Sequence, residues 1–301
     1  MSRINLNTKQ KKYILLPLVL IMSSYALFSC KPSGAIVKSY PGYNFDEPEK
    51  FNMPESLLEI SGIAFNKLSS DTIYSIQDED GSLFRQKWDD RKQQHVRFAD
   101  KGDYEDLAIM KETVFVLESN GSVYVFPFAD RNLKKTSNVK EWKKILPKGE
   151  YESIYADPAT NSLYFLTKTS NDDHKSRHAT GYILNYDVKT GELKKTGTFE
   201  LASKEIEALG YKIKNGLKAS ALTRNPKTNE WLILSSVNKL LVVANWDWKV
   251  TQVYHLNSAD FNQPEGIAFD NRLNLFISNE GDEISAGNIL KFKYTVVQPQ
   301  R

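Results

Sequence analysis

Three glutamates, Glu105, Glu152 and Glu265, hold the same slot in a short phrase that recurs along the chain. Ser61 and Ser220 fill that slot in the other two copies. The copies read Ser61-Gly62-Ile63-Ala64-Phe65, Glu105-Asp106-Leu107-Ala108-Ile109, Glu152-Ser153-Ile154-Tyr155-Ala156, Ser220-Ala221-Leu222-Thr223-Arg224 and Glu265-Gly266-Ile267-Ala268-Phe269. If the slots converge, three carboxylates and two hydroxyls form a ring of hard oxygen donors, which suits Ca²⁺ or Mg²⁺. Carboxylates so close repel, and a pKa must rise unless a cation or a basic residue such as Arg224 or Lys218 compensates. The bland alternative is that each Glu is simply solvated ahead of an apolar strand.

A second set of oxygens follows the next apolar run of each repeat: Asp78, Glu118 and Asn279, with Glu280 beside Asn279. These form either a second ring next to the first or turns held by Asx-type hydrogen bonds. Other chemistry has less support. His174 and His178 are spaced as in some zinc sites, but a site needs three or four ligands and no third stands near. There is no nucleophile elbow and no phosphate-binding glycine loop.

The spacing of the phrase says what positions these groups. The lead residues are 44, 47, 68 and 45 residues apart. A period in the mid-forties carried by β-type sequence indicates an all-β propeller. Each repeat offers a first strand at the phrase and a second at Ile73–Ile76, Val114–Leu117, Leu163–Leu166, Trp231–Leu234 or Leu275–Ser278. Turn residues such as Asp80-Gly81 and Asn120-Gly121 follow. Third strands are expected at Ser82–Trp88, Ser122–Phe128, Tyr182–Val188, Leu240–Trp246 and Asn288–Tyr294. Fourth strands are expected at His95–Phe98, Val139–Ile145, Leu193–Phe199 and Val250–Leu256. The fifth repeat has no room for one before Arg301, so an N-terminal strand at Ala35–Tyr43 is expected to close the ring. The count fits five four-stranded blades, with six the alternative if Asn44–Leu58 or the long third repeat hides another. The third repeat is lengthened by Thr169–Thr180 and by Leu201–Lys218, both expected as loops on a disc face, the latter helical around Lys204–Leu209. Trp231, Trp246 and Trp248 read as blade packing, with one ring of Trp246-Asp247-Trp248 exposed.

The first thirty residues read as an export leader. Arg3, Lys9, Lys11 and Lys12 precede an apolar run from Tyr13 to Phe28. That run is short of the ~20 residues a span needs. It ends Leu27-Phe28-Ser29-Cys30, as in a bacterial lipoprotein, and Cys30 is the chain's only cysteine. The expected layout is a signal peptide at 1–30, a tether with the closing strand at 31–44, and one propeller domain at 45–297. Lipidation of Cys30 would hold the protein to a bacterial membrane in the cell envelope. Net charge is +3, with part of it in the leader, so the mature chain is nearer neutral and nothing points to nucleic acid. A monomer is expected.

The same phrases, set in Glu59-Ile60-Ser61-Gly62, Tyr104-Glu105-Asp106, Tyr151-Glu152-Ser153, Ala219-Ser220-Ala221 and Pro264-Glu265-Gly266, with Ile277-Ser278-Asn279-Glu280 closing the last, resemble the SdiA-regulated (YjiK-like) family of bacterial exported propellers. The resemblance covers nearly all of residues 45–294. It implies a β-propeller with a cation near its channel and supplies no established activity. Two readings follow. One is a membrane-tethered module that binds a small molecule, a glycan or a protein on a disc face. The other is a Ca-dependent hydrolase, lactonase-, esterase- or phytase-like, with one of the three glutamates as base.

Overall fold

In the computed structural model, described for residues 39–88, 92–169 and 177–296, the repeat becomes five antiparallel blades of four strands each. The final blade begins at the N-terminus, where β1 is Glu49–Asn52. Blade 1 is β2 (Ile60–Ala64), β3 (Ile73–Gln77), β4 (Ser82–Gln86) and β5 (Gln94–Arg97). Blade 2 is β6 (Tyr104–Met110), β7 (Thr113–Glu118), β8 (Val123–Pro127) and β9 (Lys140–Trp142). Blade 3 is β10 (Glu150–Asp157), β11 (Ser162–Thr169), β12 (His178–Asp187) and β13 (Glu192–Ala202). Blade 4 is β14 (Ala221–Arg224), β15 (Trp231–Ser235), β16 (Leu240–Ala244) and β17 (Val250–His255). Blade 5 is β18 (Gln263–Phe269), β19 (Leu275–Glu280) and β20 (Asn288–Phe292), completed by β1.

The first strands of neighbouring blades pack against one another in a closed cycle, β2 to β6 to β10 to β14 to β18 and back to β2. Polarity grows outward for a physical reason. Middle strands face a neighbouring blade on both sides, and β15 and β16 are buried at every position. Outer strands such as β5 and β1 face water and are mostly exposed. The core is accordingly five clusters, one in each interface between adjacent blades. Trp231, 1 % exposed, fills the interface of blades 3 and 4, stacked on Trp248 and Trp246, while Trp246 is 55 % exposed.

The ring closes through an N-terminal strand, but not through Ala35–Tyr43. The closing strand is β1, paired with β20 from Glu49 opposite Lys291 to Asn52 opposite Asn288. An ion pair of 2.9 Å joins Glu49 and Lys291. The described part of the expected segment does something else. Tyr40, Tyr43 and Phe45 are buried in the cluster between blades 4 and 5, Tyr40 stacked on Tyr43. Gly42 lies at φ +93°, and a Cβ there would meet the Tyr294 ring at 2.5 Å. Large aromatic rings gain more as a plug in a blade interface than on a solvent-facing outer strand. The alternating polar run Glu49-Lys50-Phe51-Asn52 suits an edge.

The third repeat hides no sixth blade. Its extra length goes into β11, β12 and β13, of 8, 10 and 11 residues, and into a helix, α1 (Ser203–Ala208). Thr169 and His178–Thr180 belong to strands, and His174 lies outside the described residues. His178 Nδ1 lies 2.6 Å from Glu200 Oε2. The stretch 201–218 is no free loop, because Ile206, Ile213 and Leu217 are buried against blades 3 and 4.

Candidate functional site: an acidic well at the channel mouth

Each of the three glutamates sits on a β-bulge. In blade 2, Tyr104 pairs with Glu118 and Asp106 with Leu117, leaving Glu105 unpaired. In blade 3, Tyr151 pairs with Thr167 and Ser153 with Leu166, leaving Glu152. In blade 5, Pro264 pairs with Asn279 and Gly266 with Ser278, leaving Glu265. A bulge frees one residue from the ladder and re-aims its side chain. All three side chains are thereby turned into one well of about 310 Å³.

The well has a second layer from the ends of the second strands. Five residues on from Ile73, Val114, Leu163, Trp231 and Leu275 stand Asp78, Ser119, Lys168, Ser236 and Glu280. Four of these, Asp78, Lys168, Ser236 and Glu280, line the well, with Asp103 and Gln263. Ser119 instead donates to Asp103. Glu118 and Asn279 lie one residue earlier, and a shift of one flips a strand residue to the other face. Glu118 accepts from Tyr124 at 3.2 Å, and Asn279 is fully buried against Asn288 at 3.1 Å. Lys168, Ser236, Asp103 and Gln263 were not singled out from sequence. The shared slot was the signal for the first two.

The two serines do not line the well. Ser220 Oγ donates to Pro264 O at 2.6 Å, and Ser61 O accepts from Ser278 Oγ at 2.7 Å. These bonds run from one blade to the next, as does the bond from Ile154 N to Asp106 Oδ2 at 2.9 Å. They tie the inner strands into a ring. A second cavity of about 100 Å³ is lined by Ile63, Leu107, Ile154, Leu222 and Ile267, the third residues of the five phrases, together with Asp106 and Thr223. The titratable side chains that line the channel gather in the well, apart from Asp106 in this second cavity.

Among the described residues six carboxylates, Asp78, Asp103, Glu105, Glu152, Glu265 and Glu280, share this mouth with one ammonium, Lys168. Lys168 Nζ pairs with Glu152 Oε1. Arg224 sits at the far end of its strand and pairs with Asp157 at 3.4 Å, so it compensates none of them. Glu152 is 6 % exposed, and its Oε2 is buried with no hydrogen-bond partner among the described residues. Burial, then the neighbouring Glu152, pushes Glu105 up to about 9. Burial and Asp78 push Glu280 to about 7, and burial and Glu59 push Asp78 to about 6. Burial raises Glu152 and Glu265 too, the former restrained by Lys168. For Lys168 burial acts downward, but Glu152 and the other carboxylates outweigh it and the ammonium is held above its usual range. Among the described residues no three Asp, Glu or His side chains converge closely enough to cage a metal ion on their own.

This arrangement defines a propeller with an acidic channel mouth. The sequence matches the profile of the SdiA-regulated family over residues 37–283, and the chain belongs to that family. Among solved structures it is similar to a calcium-binding protein, regucalcin, from Agrobacterium tumefaciens (12 % identity, 85 % of this chain and 96 % of that one, TM-score 0.49). It is also similar to virginiamycin B lyase from Staphylococcus aureus (14 % identity, 84 % and 75 %, TM-score 0.42). At these identities the likeness is one of fold. No curated protein matches the chain.

Proposed function

We propose that this protein is a binding module whose channel mouth captures a ligand through a bound divalent cation, with Ca²⁺ the best fit. The observation that carries this reading is the buried Oε2 of Glu152, which has no partner among the described residues, in a well that they line with six carboxylates and one ammonium. An unsatisfied buried acceptor of that charge is strongly disfavoured. The donors are carboxylate, amide and hydroxyl oxygens, which suit Ca²⁺ or Mg²⁺ and not a thiophilic metal. Because the carboxylates stand around a wide well, an ion there keeps coordination positions for water or for a ligand's oxygens. Of the candidate ring Glu105, Glu152 and Glu265, Glu152 would hold it, with water or the ligand's oxygens completing the coordination, since no three of the described carboxylates converge. The tether through Cys30 belongs to the same reading and lies outside the described residues; it would place the module on the envelope side of a bacterial membrane.

A stability measurement tests the cation. The melting temperature should rise from EDTA to Ca²⁺, by an amount that grows with the logarithm of concentration and corresponds to about 2.7 kcal/mol at a hundredfold excess over Kd. Glu152→Gln should shrink the gain. Glu192→Gln should not, since Glu192 pairs with Lys140 on outer strands. A melting temperature indifferent to both additions refutes the reading.

A second reading, hydrolysis of a lactone, ester or phosphoester, is favoured by one observation. Glu105, held near 9, is protonated at neutral pH and so able to donate a proton. A substrate panel run with and without EDTA distinguishes the two.

A further inference from the structure

The ammonium of the well stands where a captured cation would have to go. In four blades the layer formed by the ends of the second strands carries Asp78, Ser119, Ser236 and Glu280, all acidic or neutral. Only blade 3 places a cation there, Lys168, at the end of β11. Its Nζ is bonded to one oxygen of Glu152, the carboxylate whose other oxygen is buried and has no partner among the described residues. The Lys168 side chain is 32 % exposed, whereas that of Glu152 is 8 % exposed. The carboxylate is therefore fixed while the ammonium has a route to solvent. A flexible four-carbon stem lets the charge leave without moving the strand.

We infer that Lys168 is an internal counter-ion that occupies the cation position of the well and must be displaced from Glu152 when a divalent cation binds. This rests on the cation reading above. It makes Lys168 the residue that sets affinity and excludes weakly bound monovalent ions. An ion of charge one gains nothing by replacing an ammonium already in contact, while a divalent ion gains a second charge against the same carboxylates. Displacement also leaves an ammonium at the rim of the well, where it can meet an anionic group of whatever ligand the cation holds.

The test compares wild type, Lys168→Met and Lys140→Met by calorimetric titration with CaCl₂ alone. Methionine keeps the stem and removes the charge. Lys140 bonds Glu192 away from the well and controls for loss of a positive charge anywhere. Lys168→Met should bind Ca²⁺ about tenfold more tightly or better, with Lys140→Met unchanged. In EDTA, Lys168→Met should melt lower than wild type, because Glu152 then lacks its partner, and Ca²⁺ should recover more than that loss. If wild type binds and Lys168→Met binds equally or more weakly, the displacement is refuted while the cation reading stands. If both variants change alike, the effect is general charge and the displacement is again refuted. If none of the three proteins binds, both fall.

Discussion

Replacing Glu105 with Gln should flatten the pH dependence of stability between pH 6 and 8, measured in EDTA. Glu105 stands at about 9 in the folded protein against an ordinary 4.5. Below about pH 4.5 the carboxyl is protonated in both states and costs nothing. As pH rises past that value the unfolded chain ionises freely, while the folded chain holds its proton until about 9. The folded state then binds more protons than the unfolded one, so stability falls as pH rises through this window. The slope is about 1.4 kcal/mol per unit, so the two units from pH 6 to 8 remove at most roughly 3 kcal/mol through this group. Water entering the well lowers that figure. Urea unfolding, followed by the fluorescence of the buried Trp231, gives the free energy at both pH values. Wild type should lose more stability over the interval than Glu105→Gln, and the variant should be the more stable of the two at pH 8. Equal losses in the two proteins would refute the claim that Glu105 is buried among like charges. A wild type that gains stability over the interval would refute the sign.

Three further outcomes follow from the packing. Gly266→Ala should destabilise the protein by about 1–3 kcal/mol in thermal unfolding, because a Cβ there would lie 2.3 Å from Ser278 Oγ and 2.7 Å from Ser61 O, inside the bond that joins blades 5 and 1. A chain beginning at residue 39 should stay monodisperse in size-exclusion chromatography, whereas one beginning at residue 53 loses β1, exposes the β20 edge and should aggregate. Cys30→Ser should move the protein from the membrane to the soluble fraction, or leave the leader uncleaved; a wild-type protein whose intact mass shows no acyl chains rules out the anchor.

The architecture was legible because a propeller writes its period into the chain. Ile63, Leu107, Ile154, Leu222 and Ile267 recur at that period and all reach the axis. The location of the site followed from the same arithmetic, since one slot in five blades converges on one mouth. Its composition did not follow, because the path of the side chain depends on backbone detail that residue type does not announce. Nothing in Tyr104-Glu105-Asp106 declares a bulge, yet the bulge is what points Glu105 inward. Ser220 carries the same slot just ahead of β14, outside the paired ladder, where its hydroxyl bridges to Pro264. The closing strand was misplaced for a related reason. Residues 35–43 have strand-forming composition, but aromatic bulk at Tyr40 and Tyr43 selects a blade interface over an edge.

The least legible residue of the well is the one on which the cation reading turns. Lys168 looks in sequence like one more surface lysine ahead of a polar insertion, and a ring of carboxylates looks complete without it. Aligning the second strands puts it at the mouth with Asp78, Ser236 and Glu280. Once there, it changes what the ring is. On the cation reading proposed above, six carboxylates alone would set no competitor against an arriving cation. On the same reading, six carboxylates with a resident ammonium against the most buried of them would bind only a cation that outcompetes it. The difference rests on one side chain at the end of β11, in the blade whose extra length sets it apart from the other four.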